Sequence, residues 1–449
     1  MLEIKAGYKK TDIGVIPEDW EIKSYGEVFE FLNTISNSRA DLCFKGDFGY
    51  IHYGDIHMRW ENTLDLEKNE LPKIKRNKIK KLPPLLKDGD LVMIIISEDY
   101  KNIAKSVEIK NIGNKKVVSG LHTFLMRDKN NVFAQGIRGY IYKMPIVWKQ
   151  FQKIAAGLSV FVVSKNNLKN VLIPIPKLEE QKAIATILSD MDGLIQSLEL
   201  LLEKAKAFKI GMMQELLTGK TRLTDQSGIT IKYKKTDIGI IPEDWEVVTL
   251  GSLFEITSSA RVFQKEWKSS GIPFYRAREL VVLEGKGKVD NKLFIDKGLY
   301  EKHKRSYGVP QVGDMLVTAV GTLGKVYVVD NEKPFYFKDG NIIWFKVKDK
   351  LNSNYLKQLY LTPFIKQQIT DISAGSTVGT YTIISAKKTK IPLPKSKEQK
   401  AIAEVLSDID GLIESYSQRL DKAKALKIGM MQELLTGKTR LINNKEVGI

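Results

Sequence analysis

The chain contains one sequence pattern twice, and this internal repeat limits its architecture more than any other feature. Residues 8–20 read YKKTDIGVIPEDW, and residues 233–245 read YKKTDIGIIPEDW, with a single difference. Residues 179–223 match residues 397–441 at 34 of 45 positions, and both copies end in an identical GMMQELLTGKTRL. The regions between these blocks have diverged. We therefore expect two copies of one scaffold whose variable parts have different tasks.

The block at the end of each copy predicts a long helix. Each predicted helix follows a Pro-x-Pro segment and ends before a glycine, Gly219 or Gly437, as helices commonly do. About 38 residues at about 1.5 Å each give helices of roughly 57 Å. A helix of this length with one apolar face needs a partner helix, and the helix of the other copy is the obvious candidate. Apolar residues recur at alternating three- and four-residue steps, which is typical of a heptad seam. The predicted seam is Ile184, Ile187, Met191, Leu194, Leu198, Leu201, Ala205, Phe208 and Met212, and in the second copy Ile402, Val405, Ile409, Leu412, Tyr416, Ala423, Leu426 and Met430, with one break at Arg419.

The diverged regions read as mixed α/β structure with short strands. Apolar runs such as residues 91–96 and 316–320 are bounded by Gly-Asp, Asp-Gly and Asn signals, which favour strands separated by turns. The stretch around residues 355–369 favours a helix. We expect two compact, β-rich globules with a few helices.

Two matched segments of the diverged regions carry candidate DNA-reading side chains. Residues 50–56 align with residues 274–280 as strand-like segments closed by Asp55 and Glu279. Arginine can pair with guanine through two hydrogen bonds, and His or Tyr can reach a base edge. The alternative is that these aromatic residues are half-buried strand residues. The candidates for base readout are His52, Tyr53, His57, Arg59, Tyr275, Arg276 and Arg278.

Basic residues also cluster at equivalent places in the two copies, before each Gly-Asp turn and in a Ser/Arg loop. Such clusters suit contacts with phosphates, which position a protein on DNA without reading sequence. A solvated surface is the alternative. The candidates for phosphate contact are Arg39, Lys45, Lys73, Lys75, Arg76, Lys78 and Lys80, and in the second copy Arg261, Lys265, Lys302, Lys304, Arg305 and Lys325.

Composition agrees with a polyanionic partner and an intracellular setting. Lys and Arg number 71 against 53 Asp and Glu, which gives a formal net charge of +18. A charge excess of this size favours nucleic acid, although it could serve solubility alone. A single cysteine, Cys43, excludes an internal disulfide and suits a reducing compartment. No apolar run approaches the ~18 residues of a membrane helix, so we expect a soluble, cytoplasmic protein.

Catalytic signatures are missing from the sequence. Gly-Lys-Thr occurs twice, but Gln214 and Gln432 stand where a phosphate-binding loop needs its first glycine. Residues 108–110 have the Glu-x-Lys form of some nucleases, a pattern too common to count. Cys43, His52 and His57 lack a clear fourth metal ligand. We predict neither catalytic residues nor a metal site.

The combination of motifs resembles one family, the specificity (S) subunits of type I restriction–modification systems. The motifs are the two IPEDW openings, the matched Tyr-Ile-His-x-Gly-Asp-Ile and Gly-Asp segments, and the two helix starts of the form PxP-x3-EQKAIA. The resemblance covers essentially the whole chain. It implies an α+β fold with two globular α/β target-recognition domains, separated by two long helices that form an antiparallel coiled coil with pseudo-twofold symmetry. The implied segments are residues 1–176 and 221–394 for the recognition domains, 177–220 and 395–441 for the helices, and 442–449 for a tail.

The resemblance also implies a function without catalysis in this chain. Each recognition domain reads one half of an asymmetric, bipartite site in double-stranded DNA, and the helices fix the spacing and dock two methyltransferase (M) subunits. Restriction (R) subunits join that core. S-adenosylmethionine, ATP and Mg are expected only in the partner subunits, so this chain needs no cofactor and contacts no membrane. Two alternatives remain: a stand-alone DNA-binding regulator or architectural protein, and an enzyme with an unfamiliar centre.

Overall fold

The computed structural model describes residues 5–98, 100–157, 160–223, 231–285, 289–290, 292–347, 352–373 and 380–441. The predicted tail, residues 442–449, lies outside the described residues. The chain forms two compact units, of which unit 1 comprises Met1–Glu199 and Gln418–Ile449, and unit 2 comprises Leu200–Ser417. Each unit therefore combines one diverged region with the first part of its own long helix and the last part of the other long helix.

The first repeat contains fourteen strands and five α-helices among its described residues. The strands are β1 (Tyr8–Thr11), β2 (Gly14–Pro17), β3 (Glu21–Ser24), β4 (Phe29–Leu32), β5 (Phe48–Ile51), β6 (Thr63–Asp65), β7 (Lys73–Ile74), β8 (Leu91–Ile94), β9 (Ile96–Ser97), β10 (Ser106–Lys110), β11 (Val117–Ser119), β12 (Thr123–Asp128), β13 (Phe161–Val162) and β14 (Leu172–Ile175). The helices are α1 (Tyr25–Val28), α2 (Tyr53–Arg59), α3 (Pro145–Ile154), α4 (Lys165–Lys169) and α5 (Leu178–Leu216).

The second repeat follows the same plan. Its strands are β15 (Tyr233–Thr236), β16 (Gly239–Pro242), β17 (Glu246–Thr249), β18 (Glu255–Thr257), β19 (Trp267–Lys268), β20 (Ile272–Tyr275), β21 (Phe294–Ile295), β22 (Met315–Thr318), β23 (Val326–Val328), β24 (Tyr336–Phe337), β25 (Ile342–Lys346) and β26 (Lys390–Leu393). Its helices are α6 (Leu250–Leu253), α7 (Ala277–Glu284), α8 (Lys297–Tyr307), α9 (Ser353–Tyr360), α10 (Pro363–Ser373), α11 (Ile383–Lys388) and α12 (Ser396–Leu434).

The sheets of the two repeats share a common set of strands in the same order, which confirms the predicted mixed α/β fold, although β6 in the first repeat and β19 in the second have no counterpart. The larger sheet has the order β4-β12-β8-β10-β6 in the first repeat and β18-β25-β22-β23 in the second. The smaller sheet places β5 parallel to β11 and antiparallel to β7, just as β20 lies parallel to β24 and antiparallel to β21. Diverged sequence has therefore kept one topology, because each strand retains a buried apolar face.

Within each unit, segments of the two long helices run antiparallel, as predicted. In unit 1 the Lys424 ammonium lies 2.7 Å from the Glu199 carboxylate, and Lys427 pairs with Asp192 further along. The equivalent pair in unit 2 joins Lys209 to Asp410 at 2.6 Å. These helices also complete the apolar cores, since Ile184 and Leu434 belong to the core of unit 1.

The helix seam differs from the prediction at several alternate positions, although the predicted Ile187 and Val405 are partly buried and pack against the apolar cores. Ile184, Met191, Leu198 and Ala205 lie in it, but the alternate positions fall one residue later, on Leu188, Ile195 and Leu202. Leu194, Leu201 and Leu412 are exposed instead. The sequence has apolar residues side by side at these points, so spacing alone allowed both registers. In α12 the shift places Leu406, Ile413 and Leu420 in the seam beside Ile402, Ile409 and Ala423, so Arg419 does not interrupt it.

The duplicated sequence blocks meet at one joint in each unit. In unit 1 the Arg440 guanidinium donates to Glu180 at 2.7 and 2.9 Å and to Asp19 at 2.7 Å, while Trp20 Nε1 donates to the same Glu180 at 3.0 Å. Gly437 has a positive φ of 69°, and a Cβ there would lie 2.4 Å from Pro17. The IPEDW, EQKAIA and GKTR motifs are therefore parts of a single buried contact.

The joint of unit 2 repeats this arrangement with the equivalent residues. Arg222 donates to Glu398 at 2.6 and 2.9 Å and to Asp244 at 2.8 Å through each of two nitrogens, and Trp245 donates to Glu398 at 3.0 Å. Each joint encloses a carboxylate that is almost wholly buried, so loss of its arginine leaves a buried charge without compensation. This requirement gives a structural reason for the near-identity of the duplicated ends.

Candidate nucleic-acid interface

A buried carboxylate at the start of a short helix organises the candidate reading surface of the first repeat. Strand β5 ends at Ile51 and α2 begins at Tyr53, so Asp55 lies in the first helical turn rather than closing a strand as predicted. Asp55 is buried and accepts a hydrogen bond from Arg39 Nη2 at 2.9 Å. Its other oxygen, Oδ2, is buried without a hydrogen-bond partner among the described residues. The ion pair holds the Arg39 guanidinium at the surface.

His52 has a structural role at the same place. Its Nδ1 accepts from the backbone of Gly54 at 3.1 Å and caps α2, and the ring is buried. Burial lowers the pKa of His52, and the Arg39 guanidinium beside the ring lowers this pKa further. The neutral ring therefore carries its proton on Nε2, since Nδ1 is an acceptor. Readout of a base by His52 stays a prediction.

The second repeat builds the same feature from different residues. Glu279 is buried in the first turn of α7 and accepts from Arg276 Nη2 at 2.8 Å and from Arg278 Nε. Burial acts to raise the pKa of Glu279, but these hydrogen bonds outweigh it, and the pKa falls below its ordinary value. The Arg278 side chain is 69% exposed and that of Arg276 is 27% exposed. Arg278 is thus the more accessible of the two predicted readers.

A cavity of about 720 Å³ brings several predicted residues of the first repeat together. Five cationic side chains line it, against three acidic ones. The cations are Arg39, Arg59 and Lys73, which the sequence predicted as DNA contacts, and Lys115 and Lys116, which sequence reasoning missed. The acidic side chains are Asp47, Asp55 and Glu70. The missed pair lies before β11, far along the chain from the other cations, and only the parallel pairing of β11 with β5 brings it here.

The predicted phosphate-contact clusters occupy equivalent positions in the two folds. In the first repeat the cluster lies on β7 and the 3-10 turn Arg76–Lys78, and in the second it lies on α8, directly after β21. All members of both clusters are exposed. Exposed cations at matched positions in two diverged domains suit phosphate contact, which stays a prediction at each residue. The exposed members are Lys73, Lys75, Arg76, Lys78, Lys80, Lys302, Lys304 and Arg305.

The remaining candidates have varied surroundings. Arg59 is exposed, with its guanidinium 5.3 Å from the Trp60 ring. Lys325 pairs with Glu284 at 3.6 Å, and Arg261 donates to Asp339 at 3.0 Å. A further set consists of half-buried aromatic residues or exposed lysines whose roles the contacts do not decide: Tyr53, His57, Tyr275, Lys45 and Lys265.

The residues displaced from the helix seam leave exposed apolar side chains at equivalent positions of the two units, and we call this set the stripe. In unit 1 this stripe contains Leu194 from α5 and Leu426 from α12, and in unit 2 it contains Leu412 and Phe208 at the equivalent positions. Leu194 is 45% exposed and Leu412 is 43% exposed. Apolar side chains repeated along a helix and left in water mark a surface for another protein. Sequence reasoning assigned these residues to the seam and missed the stripe.

The described residues give structural roles to groups that resembled catalytic ones. Glu108, from the nuclease-like Glu-x-Lys pattern, is fully buried and accepts from the Arg138 guanidinium at 3.0 Å. The ranges described above contain no group of three or more His, Cys, Asp or Glu side chains placed to hold a metal ion. In the same ranges, no helix combines the length and apolar character needed to cross a membrane.

Comparison with known proteins identifies the family. The model of the type I restriction modification DNA specificity domain matches residues 17–207 and 242–425, one match in each repeat. A relative from Methanocaldococcus jannaschii, described as "Putative type I restriction enzyme MjaX specificity subunit", is 32% identical over 445 residues and covers 97% of each chain.

Solved structures agree at the level of the fold. The S subunit of a type I restriction–modification system from M. genitalium superposes with a TM-score of 0.56 at 13% identity, over 96% of this chain and 98% of the other. A chain from a structure of type I restriction–modification complex assembly gives a TM-score of 0.50 at 15% identity, over 94% and 99%. Two family-model matches that together span most of the chain, on a duplicated scaffold with two different basic surfaces, show that this protein belongs to the type I restriction–modification DNA specificity family.

Proposed function

We propose that this chain is the DNA sequence-specificity subunit of a type I restriction–modification complex. One observation carries the proposal: the two repeats share a joint, a helix seam and a sheet topology, but they present different side chains around the buried acid, Asp55 in one and Glu279 in the other. Identical scaffolds with different reading surfaces suit a bipartite, asymmetric site in double-stranded DNA. Each repeat reads one half of that site.

Electrostatics supports duplex DNA as the ligand. The net charge of +18 and the exposed basic clusters beside each reading surface match the phosphate backbone, which supplies affinity without specificity. The acid–arginine pairs orient guanidinium groups at the surface, and an oriented guanidinium can form two hydrogen bonds with guanine. The sequence preference of each half therefore depends on a small number of side chains.

The long helices have two tasks in this proposal. They set the spacing of the two half-sites, and their exposed stripe docks one methyltransferase subunit on each unit. The stripe occurs once per unit with equivalent residues, Leu194 with Leu426 and Leu412 with Phe208, as two identical partner subunits require. Restriction subunits join through that core. The M. jannaschii relative supports this assignment, because it is named as a specificity subunit and the match covers 97% of its length.

The chemistry of modification and cleavage belongs to the partner subunits. S-adenosylmethionine, ATP and Mg bind there, and this chain contributes DNA recognition and assembly in the cytoplasm. The buried ion pair of Glu108 with Arg138 supports this division, because it assigns a structural role to the carboxylate that most resembled a nuclease residue.

The test is the methylome of a host that expresses this chain with its M subunit, read by single-molecule sequencing. We expect one split motif, with two short specific blocks around a fixed unspecified gap. Replacing residues 21–172 with another recognition domain should change one block and leave the other intact. An unsplit motif, or a change in both blocks after the exchange, would contradict the proposal.

A further inference from the structure

Phe44 lies at the tip of a short loop in the first repeat, and its side chain is 100% exposed. The loop runs from Cys43 to Asp47, between the 3-10 turn Arg39–Asp41 and strand β5. A single exposed aromatic residue is common on protein surfaces and carries no meaning alone. Phe44 differs in two respects: the loop that carries it is fixed to the domain, and cations line the same cavity.

The loop is fixed at both of its ends to strand β7. Cys43 exchanges two backbone hydrogen bonds with Lys73, at 2.8 and 2.9 Å, and the Asp47 backbone N–H donates to Ile74 at 3.1 Å. The Asp47 carboxylate accepts from the Arg76 backbone at 2.7 Å. A Cβ on Gly46 would lie 2.8 Å from the Ile74 carbonyl, so only glycine lets the loop approach the strand this closely. The tip therefore holds Phe44 away from the body of the domain on a rigid base.

Cationic side chains outnumber acidic ones, five to three, in the cavity that the ring lines, and this balance indicates the class of its partner. Phe44 lines the same cavity as Arg39, Lys73 and Lys116, and Lys45 follows it directly in the sequence. An apolar protein surface would remove these cations from water without offering them an anion. A nucleic acid offers phosphates to the cations and flat base surfaces to the ring.

We propose that Phe44 inserts between two adjacent base pairs of the half-site read by the first repeat, stacks on a base and opens that step. This inference rests on the proposed function and deepens it. Among the described residues none covers a face of this fully exposed ring, as stacking requires, and the cations of the same cavity hold the displaced backbone. Side chains of this kind act as apolar wedges, and the cost of unstacking is offset by phosphate contacts that the distortion permits. Insertion selects flexible pyrimidine–purine steps, so Phe44 adds specificity without a hydrogen bond to a base.

The second repeat provides an internal contrast. Its exposed aromatic residue in the corresponding region is Phe263, which precedes the 3-10 turn Gln264–Glu266. The Lys265 ammonium lies 6.0 Å from the centroid of that ring and covers one face. We therefore expect insertion in the half-site of the first repeat.

The experiment uses the full chain assembled with its methyltransferase subunits and a duplex that carries the site defined by the methylome. The fluorescent base 2-aminopurine is placed at successive positions of both half-sites, outside the methylated bases. We expect the wild-type complex to change the fluorescence at one step of the first half-site. Phe44→Ala should abolish that change and weaken specific binding about 10-fold, with an unaltered salt dependence. Phe44→Tyr, which keeps an aromatic ring, should retain both the fluorescence change and the affinity of the wild type.

Two controls separate insertion from other roles. Lys45→Ala should keep the fluorescence change but lower the salt dependence of binding, because it removes a phosphate contact. The thermal unfolding of Phe44→Ala should equal that of the wild type, since a fully exposed ring contributes nothing to the folded state. Wild-type affinity in Phe44→Ala, or weaker binding with the fluorescence change intact, overturns the inference. Absence of sequence-specific binding by the wild-type complex instead overturns the proposed function, and this inference with it.

Discussion

Replacing Arg440 with alanine should destabilise unit 1 more than almost any other single substitution near the chain ends. The guanidinium makes three hydrogen bonds to two carboxylates, and one of them, Glu180, has a side chain that is only 1% exposed. Without Arg440 that carboxylate is buried with only the Trp20 indole as a charge-stabilising donor. Removing one partner of a buried ion pair costs about 3–5 kcal/mol of unfolding free energy, because the remaining charge loses its compensation.

Urea unfolding followed by far-UV circular dichroism measures this loss, and hydrogen exchange at residues 418–434 assigns it to unit 1. The double variant Arg440→Ala/Glu180→Gln should recover at least about 1 kcal/mol relative to Arg440→Ala, since a neutral amide still accepts from Trp20 and removes the buried charge. Arg419→Ala, at an exposed position on α12, should stay within about 0.5 kcal/mol of the wild type. A loss below about 1 kcal/mol for Arg440→Ala, or no recovery in the double variant, would refute the reasoning.

Three further predictions concern pH, docking and charge. Burial lowers the pKa of His303, whose ring nitrogens have no hydrogen-bond partner among the described residues. Folding therefore favours the neutral ring, and the free energy of unfolding should fall as pH drops below about 6.5. His303→Phe should reduce that loss in urea titrations at pH 5.5 and 7.5. Leu194→Glu and Leu412→Glu should each weaken binding at one of the two methyltransferase positions. Native mass spectrometry should then show complexes with a single M subunit, whereas retention of both M subunits in each variant would contradict docking on the stripe. Changing Lys73, Lys75 and Arg76 together to Gln should lower the log–log salt slope of DNA binding by about 0.9 for each phosphate contact removed and leave the methylated motif unchanged.

Much of the architecture was predictable because duplication is visible without coordinates. The repeated blocks predicted two equivalent domains, and heptad spacing predicted two long helices. The resemblance to the family implied that these helices run antiparallel. The matched basic clusters were also predicted, since charge and order along the chain are properties of sequence. The positions of the strand ends were not: Asp55 and Glu279 lie in the first turn of a helix, where their carboxylates meet arginines.

The sequence by itself determined the repeat, the class of the fold, the length of the helices and the two basic surfaces, because periodicity, identity and charge are local properties of the chain. Only the tertiary structure decided which of two adjacent apolar residues is buried. Of the neighbours Leu194 and Ile195, Ile195 enters the seam and Leu194 remains exposed, because the helix must also pack against its domain core. The tertiary structure also decided which distant segments meet, so that Arg440 closes on Glu180 and Lys116 lines the same cavity as Arg39. Such contacts depend on the pairing of strands and helices far apart along the chain, and short motifs do not encode that pairing.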